Sequence, residues 1–191
     1  MTPDKKIAIC VVGCGNWGRN HIRTLFDLGV LGGIVDSREQ VRNDFKIKYP
    51  SISVFHRVPD AINTGYFSGY VVATPAETHY EIAMEIINAG CHVLVEKPVT
   101  LNIEEARNLK EAAEAQNVNL MAGHVLLFHP AIQKIKEMLD LDIIGNLQYI
   151  YSNRLNLGAV RTEENVFWSL APHDISIFQY FTESIPLKIT S

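Results

Sequence analysis

The chain has 191 residues, of which 47% are hydrophobic and 20% are charged, and its formal net charge at pH 7 is −4. This length allows one well-buried domain and part of a second, while the lack of a Lys/Arg run argues against nucleic acid as the main partner. The sequence contains no apolar stretch of membrane-spanning length and no apolar signal segment, so we expect a cytoplasmic protein without membrane contact. Its three cysteines include no C-x-x-C pair, so we expect reduced thiols and no metal site.

Strand and helix patterns alternate through the first two thirds of the chain. Apolar runs predict strands at 6–12, 31–35, 53–55, 69–73, 92–95 and 119–122. Helical spacing of apolar residues predicts helices at 16–28, 37–48, 77–89 and 101–116. Such alternation is typical of a parallel sheet covered by helices on both faces. We therefore predict an α/β fold, a Rossmann-type doubly wound parallel sheet, for residues 1–123.

The pattern changes after residue 123. We predict helices at 130–139 and 170–181, a half-exposed antiparallel strand at 147–155, and the beginning of a strand at 187–190. These elements cannot form a closed sheet, because the strand edges would lack pairing partners. We therefore expect residues 124–191 to be the incomplete start of an α+β substrate or oligomerisation domain, and we expect the protein to be a homo-oligomer.

A glycine motif, G-C-G-N-W-G, joins the first predicted strand to the first helix. In a dinucleotide-binding turn the first glycine permits a tight exit from the strand, the second admits a pyrophosphate, and the third lets the helix pack closely on the sheet. The helix start would hold the diphosphate with backbone N–H groups. The predicted cofactor-binding residues are Gly13, Gly15, Asn16, Trp17 and Gly18; the alternative is an ordinary strand–helix turn.

An acidic residue follows the second predicted strand. Asp36 lies 18 residues beyond Gly18, close to the ~20-residue spacing expected of the acid that binds the cofactor ribose. An Asp here favours NAD over NADP, although Arg38 could still receive a 2′-phosphate. We include Ser37 with these two residues in the predicted cofactor site, and the alternative is a solvated Asp.

The motif A-T-P-A-E-T-H follows the fourth predicted strand, at the sheet edge where open α/β sheets bind ligands. We expect Thr74 and Pro75 to shape a loop against the nicotinamide half of the cofactor. His79, at the start of the next helix, is included in the predicted cofactor site. The alternative is a helix cap followed by an exposed histidine.

Two further motifs carry candidate catalytic groups. V-E-K-P-V follows the fifth predicted strand, where Lys97 can orient a substrate hydroxyl and favour its deprotonation; the alternative is a surface lysine paired with Glu96. A-P-H-D opens the predicted helix 170–181, where His173 can act as a general base at physiological pH. Asp174 can orient that histidine or cap the helix, and the alternative is a capping His–Asp pair.

These four motifs, in this order and spacing, resemble the Gfo/Idh/MocA oxidoreductase family. The resemblance implies an NAD(P)-binding Rossmann domain followed by a larger antiparallel-sheet domain, in which this sequence stops early. Lys97 matches the catalytic lysine of the family and His173 its active-site histidine. Glu96 matches the first residue of the family's E-K-P motif, and both Glu96 and Lys97 join the predicted cofactor site.

Within the family, residues 123–130, 152–158 and 167–174 look like the branch that oxidises UDP-linked amino sugars at C3, with UDP-N-acetylglucosamine or its uronic acid as substrate. This implies substrate-binding roles for five residues: Asn153, Arg154, Asn156, Arg161 and Asp174. The arginines suit a diphosphate and the asparagines suit sugar hydroxyls or the acetamido group, while Arg154 could instead pair across strands. The alternatives are a non-catalytic dinucleotide-binding or regulatory protein, and a dehydrogenase of free sugars or inositols.

Overall fold

A computed structural model describes residues 7–155 and 166–190 of the chain. It divides into two compact units, Met1–Gly123 and His124–Ser191. The predicted substrate residues Asn156 and Arg161 lie outside the described residues.

The first unit contains a six-stranded parallel sheet with the strand order β3-β2-β1-β4-β5-β6. Its strands are β1 (Ile9–Val12), β2 (Leu31–Val35), β3 (Ser53–Phe55), β4 (Gly69–Val72), β5 (His92–Val95) and β6 (Leu120–Ala122). The predicted doubly wound Rossmann-type sheet is thereby confirmed. Because the chain leaves β1 towards β2 on one side and returns as β4 on the other, a crevice forms at the carboxyl ends of β1 and β4.

Five helices connect these strands: α1 (Asn16–Asp27), α2 (Glu39–Lys48), α3 (Val58–Ile62), α4 (His79–Asn88) and α5 (Ile103–Ala115). Four of them agree with the predicted helices to within two residues at each end. The sequence patterns missed α3, because five residues carry little more than one helical turn of periodicity and Pro59 stands in its first turn.

Hydrophobic cores lie on both faces of the sheet. Neighbouring residues of β1 enter different clusters, Cys10 and Val12 one cluster and Val11 the other, because successive strand side chains point to opposite faces. The first cluster includes Ile86 of α4, and the second includes Ile22 of α1. Burial of both faces explains why the strands read as continuous apolar runs.

The second unit contains a short 3₁₀ turn (Val125–Phe128), α6 (Pro130–Asp140) and α7 (Val166–Thr182). Lys136 of α6 is buried; its Nζ donates to Glu183 Oε1 at 2.8 Å and also to the carboxylate of Asp140. This ammonium lies over the ring of Tyr180. The pair with Asp140 lies within α6, whereas the charge pair with Glu183 and the cation–π contact with Tyr180 hold α6 to the end of α7.

Two predicted strands of this unit, 147–155 and 187–190, are not formed in the described residues, where neither segment pairs with another. An alternating pattern becomes a strand only when a neighbour supplies ladder hydrogen bonds, and the described part of this unit contains no such neighbour. The segments are instead largely exposed; Tyr149, for example, is 78% exposed. In addition, α7 starts four residues earlier than predicted. Among the described residues, no helix has both the length and the apolarity needed to cross a membrane.

Candidate functional site

The turn between β1 and α1 requires glycine at two of its three glycine positions. Gly13 has a φ of +87°, and a Cβ there would lie 2.8 Å from the Ala73 carbonyl oxygen. A Cβ on Gly18 would lie 1.9 Å from the carbonyl oxygen of Gly13. At Gly15, in contrast, a Cβ would meet nothing within 4 Å. Backbone packing therefore explains two glycines, and open space beside the backbone at the third is what the close approach of a ligand needs.

The start of α1 suits an anionic ligand. Gly15 is the N-cap, no side chain caps the helix, and its first turn contains no acidic residue. The first backbone N–H groups of a helix lack intrahelical partners, and the helix dipole favours negative charge at that end. Together with the open space beside Gly15, this start fits a cofactor diphosphate. The first two residues of the helix, Asn16 and Trp17, are exposed.

The glycine turn provides a matched pair of predictions. Gly18→Ala should lower the free energy of unfolding by about 3 kcal/mol, because the backbone must shift to admit the methyl group. Gly15→Ala should lower that free energy by at most about 1 kcal/mol, since alanine is a poorer N-cap than glycine, yet weaken NAD binding about tenfold, because its methyl group fills the space for the diphosphate. Urea unfolding and calorimetric NAD titration of both variants measure these effects. Equal losses of stability in the two variants would contradict the assignment.

Asp36 is 6% exposed and its carboxylate accepts four hydrogen bonds. Oδ2 accepts from the backbone N of Cys14 at 2.9 Å and from Arg38 Nη2 at 2.8 Å. Oδ1 accepts from the backbone N and from Nε of Arg38, both at 2.9 Å. These bonds use all the acceptor positions of a carboxylate. Since each oxygen holds one bond from the guanidinium, two ribose hydroxyls can bind here when that guanidinium moves away.

These hydrogen-bond partners keep the Asp36 carboxylate in its ionised form. Burial raises the pKa of Asp36, but the hydrogen bonds from Arg38 and Cys14 and the charge of Arg38 lower it below its ordinary value. Burial, together with the neighbouring Asp36 charge, raises the pKa of the Cys14 thiol to about 12. At neutral pH the site therefore holds an ionised carboxylate and a protonated thiol. Ser37, between the two charged residues, is exposed.

The loop after β4 is tied to the loop after β5 by His79. This histidine is 1% exposed; its Nδ1 lies 2.8 Å from the Pro98 carbonyl oxygen and its Nε2 lies 2.9 Å from the Thr74 carbonyl oxygen. The hydroxyl of Thr78 lies 2.8 Å from that of Thr74 and 2.7 Å from the carbonyl oxygen of Pro75. The predicted direct contact of His79 with the cofactor is not supported, because the side chain is buried and both ring nitrogens face backbone carbonyl oxygens. Its geometry fits a residue that positions the two loops.

Replacement of His79 by phenylalanine is predicted to lower the free energy of unfolding by about 2–4 kcal/mol, because a buried carbonyl oxygen loses the hydrogen bond that the ring N–H donates. Urea unfolding monitored by circular dichroism measures the change. His56→Phe is the matched control, since His56 is exposed and its replacement should change the free energy by at most about 0.5 kcal/mol. Similar values for the two variants would show that the carbonyl contacts of His79 contribute nothing.

Glu96 and Lys97 follow β5 directly. Oε1 of Glu96 lies 2.7 Å from Nε2 of His21, and Oε2 accepts the backbone N–H of Lys97 at 3.3 Å. Burial raises the pKa of Glu96, but the hydrogen bond and charge of His21, followed by the backbone N–H and charge of Lys97, lower it below its ordinary value. The carboxylate is therefore ionised and engaged on both oxygens. The sequence patterns assigned no role to His21, although it lies only three residues after the last glycine of the motif G-C-G-N-W-G.

His173 lies inside α7, not at a helix start, because this helix begins at Val166. The predicted capping alternative for His173 and Asp174 is therefore wrong. Asp174 accepts two bonds from Arg154, Nε to Oδ2 at 2.9 Å and Nη2 to Oδ1 at 3.0 Å, and one from Ser152 Oγ at 2.8 Å. These hydrogen bonds hold the pKa of Asp174 below its ordinary value, Arg154 contributing most.

Arg154 thus binds a carboxylate in the second unit. The predicted alternative of pairing across strands is wrong, because this partner lies on α7 and the segment 147–155 forms no strand in the described residues. The hydrogen bond and charge of Asp174 raise the pKa of Arg154. The described geometry does not support a free guanidinium for a diphosphate. Asn153, beside it, is exposed, and Ser152 is a partner that the sequence patterns missed.

The first unit therefore gathers most of the predicted cofactor residues at the carboxyl edge of its sheet. They follow β1, β2, β4 and β5: Gly13, Gly15, Asn16, Trp17, Gly18, Asp36, Ser37, Arg38, Thr74, Pro75, Glu96 and Lys97. The second unit holds Asn153, Arg154, His173 and Asp174. Across the part of the chain that the structure describes, there is no group of three His, Cys, Asp or Glu residues suited to a metal ion.

A parallel doubly wound sheet with an open glycine turn and a buried acid after β2 is the arrangement of a dinucleotide-binding domain of the Rossmann class. The model of the Gfo/Idh/MocA family, described as an oxidoreductase family with an NAD-binding Rossmann fold, matches residues 7–124. The chain belongs to this family, and the resemblance inferred from the four motifs is confirmed.

Known relatives include enzymes that act on sugars. The UDP-N-acetylglucosamine 3-dehydrogenase of Acidithiobacillus ferrooxidans is 28% identical over 185 residues, which cover 94% of this chain and 55% of that protein. The structure of GenD2 from gentamicin A biosynthesis, in complex with NAD, is 25% identical with a TM-score of 0.80, covering 93% of this chain and 54% of that one. The structure of the WlbA dehydrogenase of Bordetella pertussis, in complex with NADH and UDP-GlcNAcA, is 26% identical with a TM-score of 0.67. The match covers 72% of this chain and 43% of that one. The chain spans about half the length of the curated relatives it matches.

Proposed function

We propose that the protein is an NAD-dependent dehydrogenase that oxidises the C3 hydroxyl of a UDP-linked N-acetylated amino sugar to the 3-keto sugar. The single observation that carries the dehydrogenase assignment is the open glycine turn at the start of α1, beside the buried carboxylate of Asp36. Similarity to the UDP-N-acetylglucosamine 3-dehydrogenase and to the WlbA dehydrogenase supports the substrate.

In this proposal the first unit holds the cofactor. The N–H groups at the start of α1 bind the diphosphate, and Asp36 accepts the ribose hydroxyls after Arg38 moves away from it. Thr74 and Pro75 form the loop beside the nicotinamide half. Asp36 favours NAD, because a carboxylate repels the 2′-phosphate of NADP.

The chemistry requires one hydride and one proton to leave the C3 position of the sugar. Bound NAD supplies the hydride acceptor. His173 accepts the hydroxyl proton as general base. Lys97 donates a hydrogen bond to the same oxygen and stabilises its developing negative charge. The ionised Asp174, held by Arg154 and Ser152, stabilises the imidazolium that forms on the adjacent His173.

A substrate panel tests this proposal. The full-length protein is mixed with NAD and, in separate reactions, with UDP-N-acetylglucosamine, its uronic acid, free N-acetylglucosamine and myo-inositol, and NADH is followed at 340 nm. We expect turnover with a UDP-linked sugar and at least 100-fold lower kcat/KM with the free compounds. Turnover of none of these compounds by a protein that binds NAD would instead support the non-catalytic alternative.

A second candidate function is the oxidation of a free sugar or inositol. The bidentate contact between Arg154 and Asp174 favours it, because a guanidinium already paired with a carboxylate is not available for a diphosphate. The same panel separates the candidates: equal or higher kcat/KM for the free compounds would favour this second function over the first.

Self-association is a further part of the proposal. Large apolar side chains of the second unit are exposed, among them Tyr151 at 75% and Leu155 at 91%, and such surfaces commonly mark interfaces. Light scattering after size-exclusion chromatography tests this for the full-length protein, and a monomeric mass at micromolar concentration would contradict it. The cytoplasmic location stays a prediction.

A further inference from the structure

A hydrogen-bonded pair of side chains joins the first helix to the residue that precedes Lys97. His21 lies on α1, three residues after the last glycine of the turn, and its Nε2 is 2.7 Å from Oε1 of Glu96. Their side chains are only 25% and 13% exposed. The pair therefore connects the helix whose start suits a diphosphate with the loop that carries Lys97.

Glu96 is held by its backbone as well as by both carboxylate oxygens. Its N–H donates to the Val72 carbonyl oxygen at 2.9 Å, and its Oε2 accepts the backbone N–H of Lys97. Gly123, at the end of β6, packs against it so closely that a Cβ there would lie 3.1 Å from Oε2 of Glu96. The carboxylate has little room to move while His21 holds it.

We propose that His21 and Glu96 are positioning residues for Lys97. In this role they act through Lys97: His21 fixes the Glu96 carboxylate, and this carboxylate fixes the peptide N–H of Lys97 and hence the origin of its side chain. The inference rests on the proposed function, in which the Lys97 ammonium must reach one oxygen atom. A displacement of about 1 Å at such a group can reduce turnover about 100-fold.

The decisive experiment compares His21→Leu with His21→Gln in the full-length protein. Leucine removes the hydrogen-bond donor, whereas the glutamine amide places a donor near the position of Nε2. We expect His21→Leu to lower kcat 10- to 100-fold at saturating NAD, with the Kd of NAD changed less than threefold, and His21→Gln to recover most of the turnover. Glu96→Leu should behave like His21→Leu. Asp60→Asn, which breaks the exposed Arg57–Asp60 pair, is the control and should leave turnover unchanged.

A second readout works without turnover. The lysines of the chain are reductively methylated with ¹³C-formaldehyde, and the Lys97 signal is assigned by its loss in Lys97→Arg. We expect His21→Leu to move this signal by more than its linewidth and His21→Gln to return it towards the wild-type position. Failure of the proposed function would appear as an inactive wild-type protein, and this spectrum would still test the positioning role.

Several results would overturn the inference. One is an unchanged kcat and an unchanged Lys97 signal in His21→Leu. Another is a rise in the Kd of NAD with an unchanged kcat, which would place the pair in the cofactor site. The last is a fall in kcat that parallels a fall in thermal stability and that His21→Gln does not reverse, which would make the pair merely structural.

Discussion

Replacement of Lys97 by methionine is expected to lower kcat by about 100- to 1,000-fold in the full-length protein, the usual effect of removing one donor from a developing oxyanion. Methionine keeps the unbranched apolar part of the side chain and removes the ammonium. Binding of NAD should change less than threefold, because the contacts that we propose for the diphosphate and the ribose lie after β1 and β2. Steady-state kinetics at saturating NAD measure the first quantity and calorimetry the second.

The control for this prediction is Lys110→Met. Lys110 lies on the exposed side of α5, where its side chain is 73% exposed and 3.8 Å from Glu114. An exposed pair of this kind contributes little, so kcat should stay unchanged. If Lys97→Met retained half of the wild-type kcat, Lys97 would not be the group that stabilises charge on the substrate oxygen.

Replacement of Asp36 by serine is expected to shift the cofactor preference from NAD towards NADP. The wild-type carboxylate repels a 2′-phosphate and also holds the Arg38 guanidinium through two hydrogen bonds. Serine removes both effects, so Arg38 becomes available to the phosphate while the NAD ribose loses its acceptor. We expect the ratio of NAD to NADP affinity to fall about 100-fold or more, roughly 2.7 kcal/mol.

Calorimetric titrations of the wild type and Asp36→Ser with both cofactors measure this ratio. The double variant Asp36→Ser/Arg38→Gln isolates the arginine, since it should bind NADP no better than the wild type does. An unchanged ratio in Asp36→Ser would mean that the ribose lies elsewhere and that the pairing of these two side chains has no part in cofactor choice.

Local patterns were enough to predict the parallel sheet. Strands buried on both faces must be continuously apolar. Two glycines of the turn answer nearby packing constraints: Gly13 lies against Ala73, directly after the adjacent strand β4, and Gly18 lies against the carbonyl of Gly13. The same local character explains why the ends of four helices were predicted within two residues. The strand predicted at 147–155 failed because its pattern describes one face of a sheet, whereas pairing depends on other segments.

Contacts between distant residues could not be predicted in the same way. His21 and Glu96 are 75 residues apart, and only the order of strands in the sheet brings their side chains together. For His79, the pattern places the residue at a helix start, but the direction of its ring depends on Pro98 and Thr74. Arg154 looked available for a diphosphate because its partner, Asp174, belongs to a different element.

Calorimetric titration of NAD into the 191-residue chain tests the central claim, a dinucleotide site at the turn between β1 and α1. We predict one NAD bound per chain and about tenfold weaker binding by Gly15→Ala, with both proteins giving the same far-ultraviolet circular dichroism. A folded wild-type chain that shows no NAD binding at millimolar concentration, or equal affinity in Gly15→Ala, would contradict the assignment of this turn.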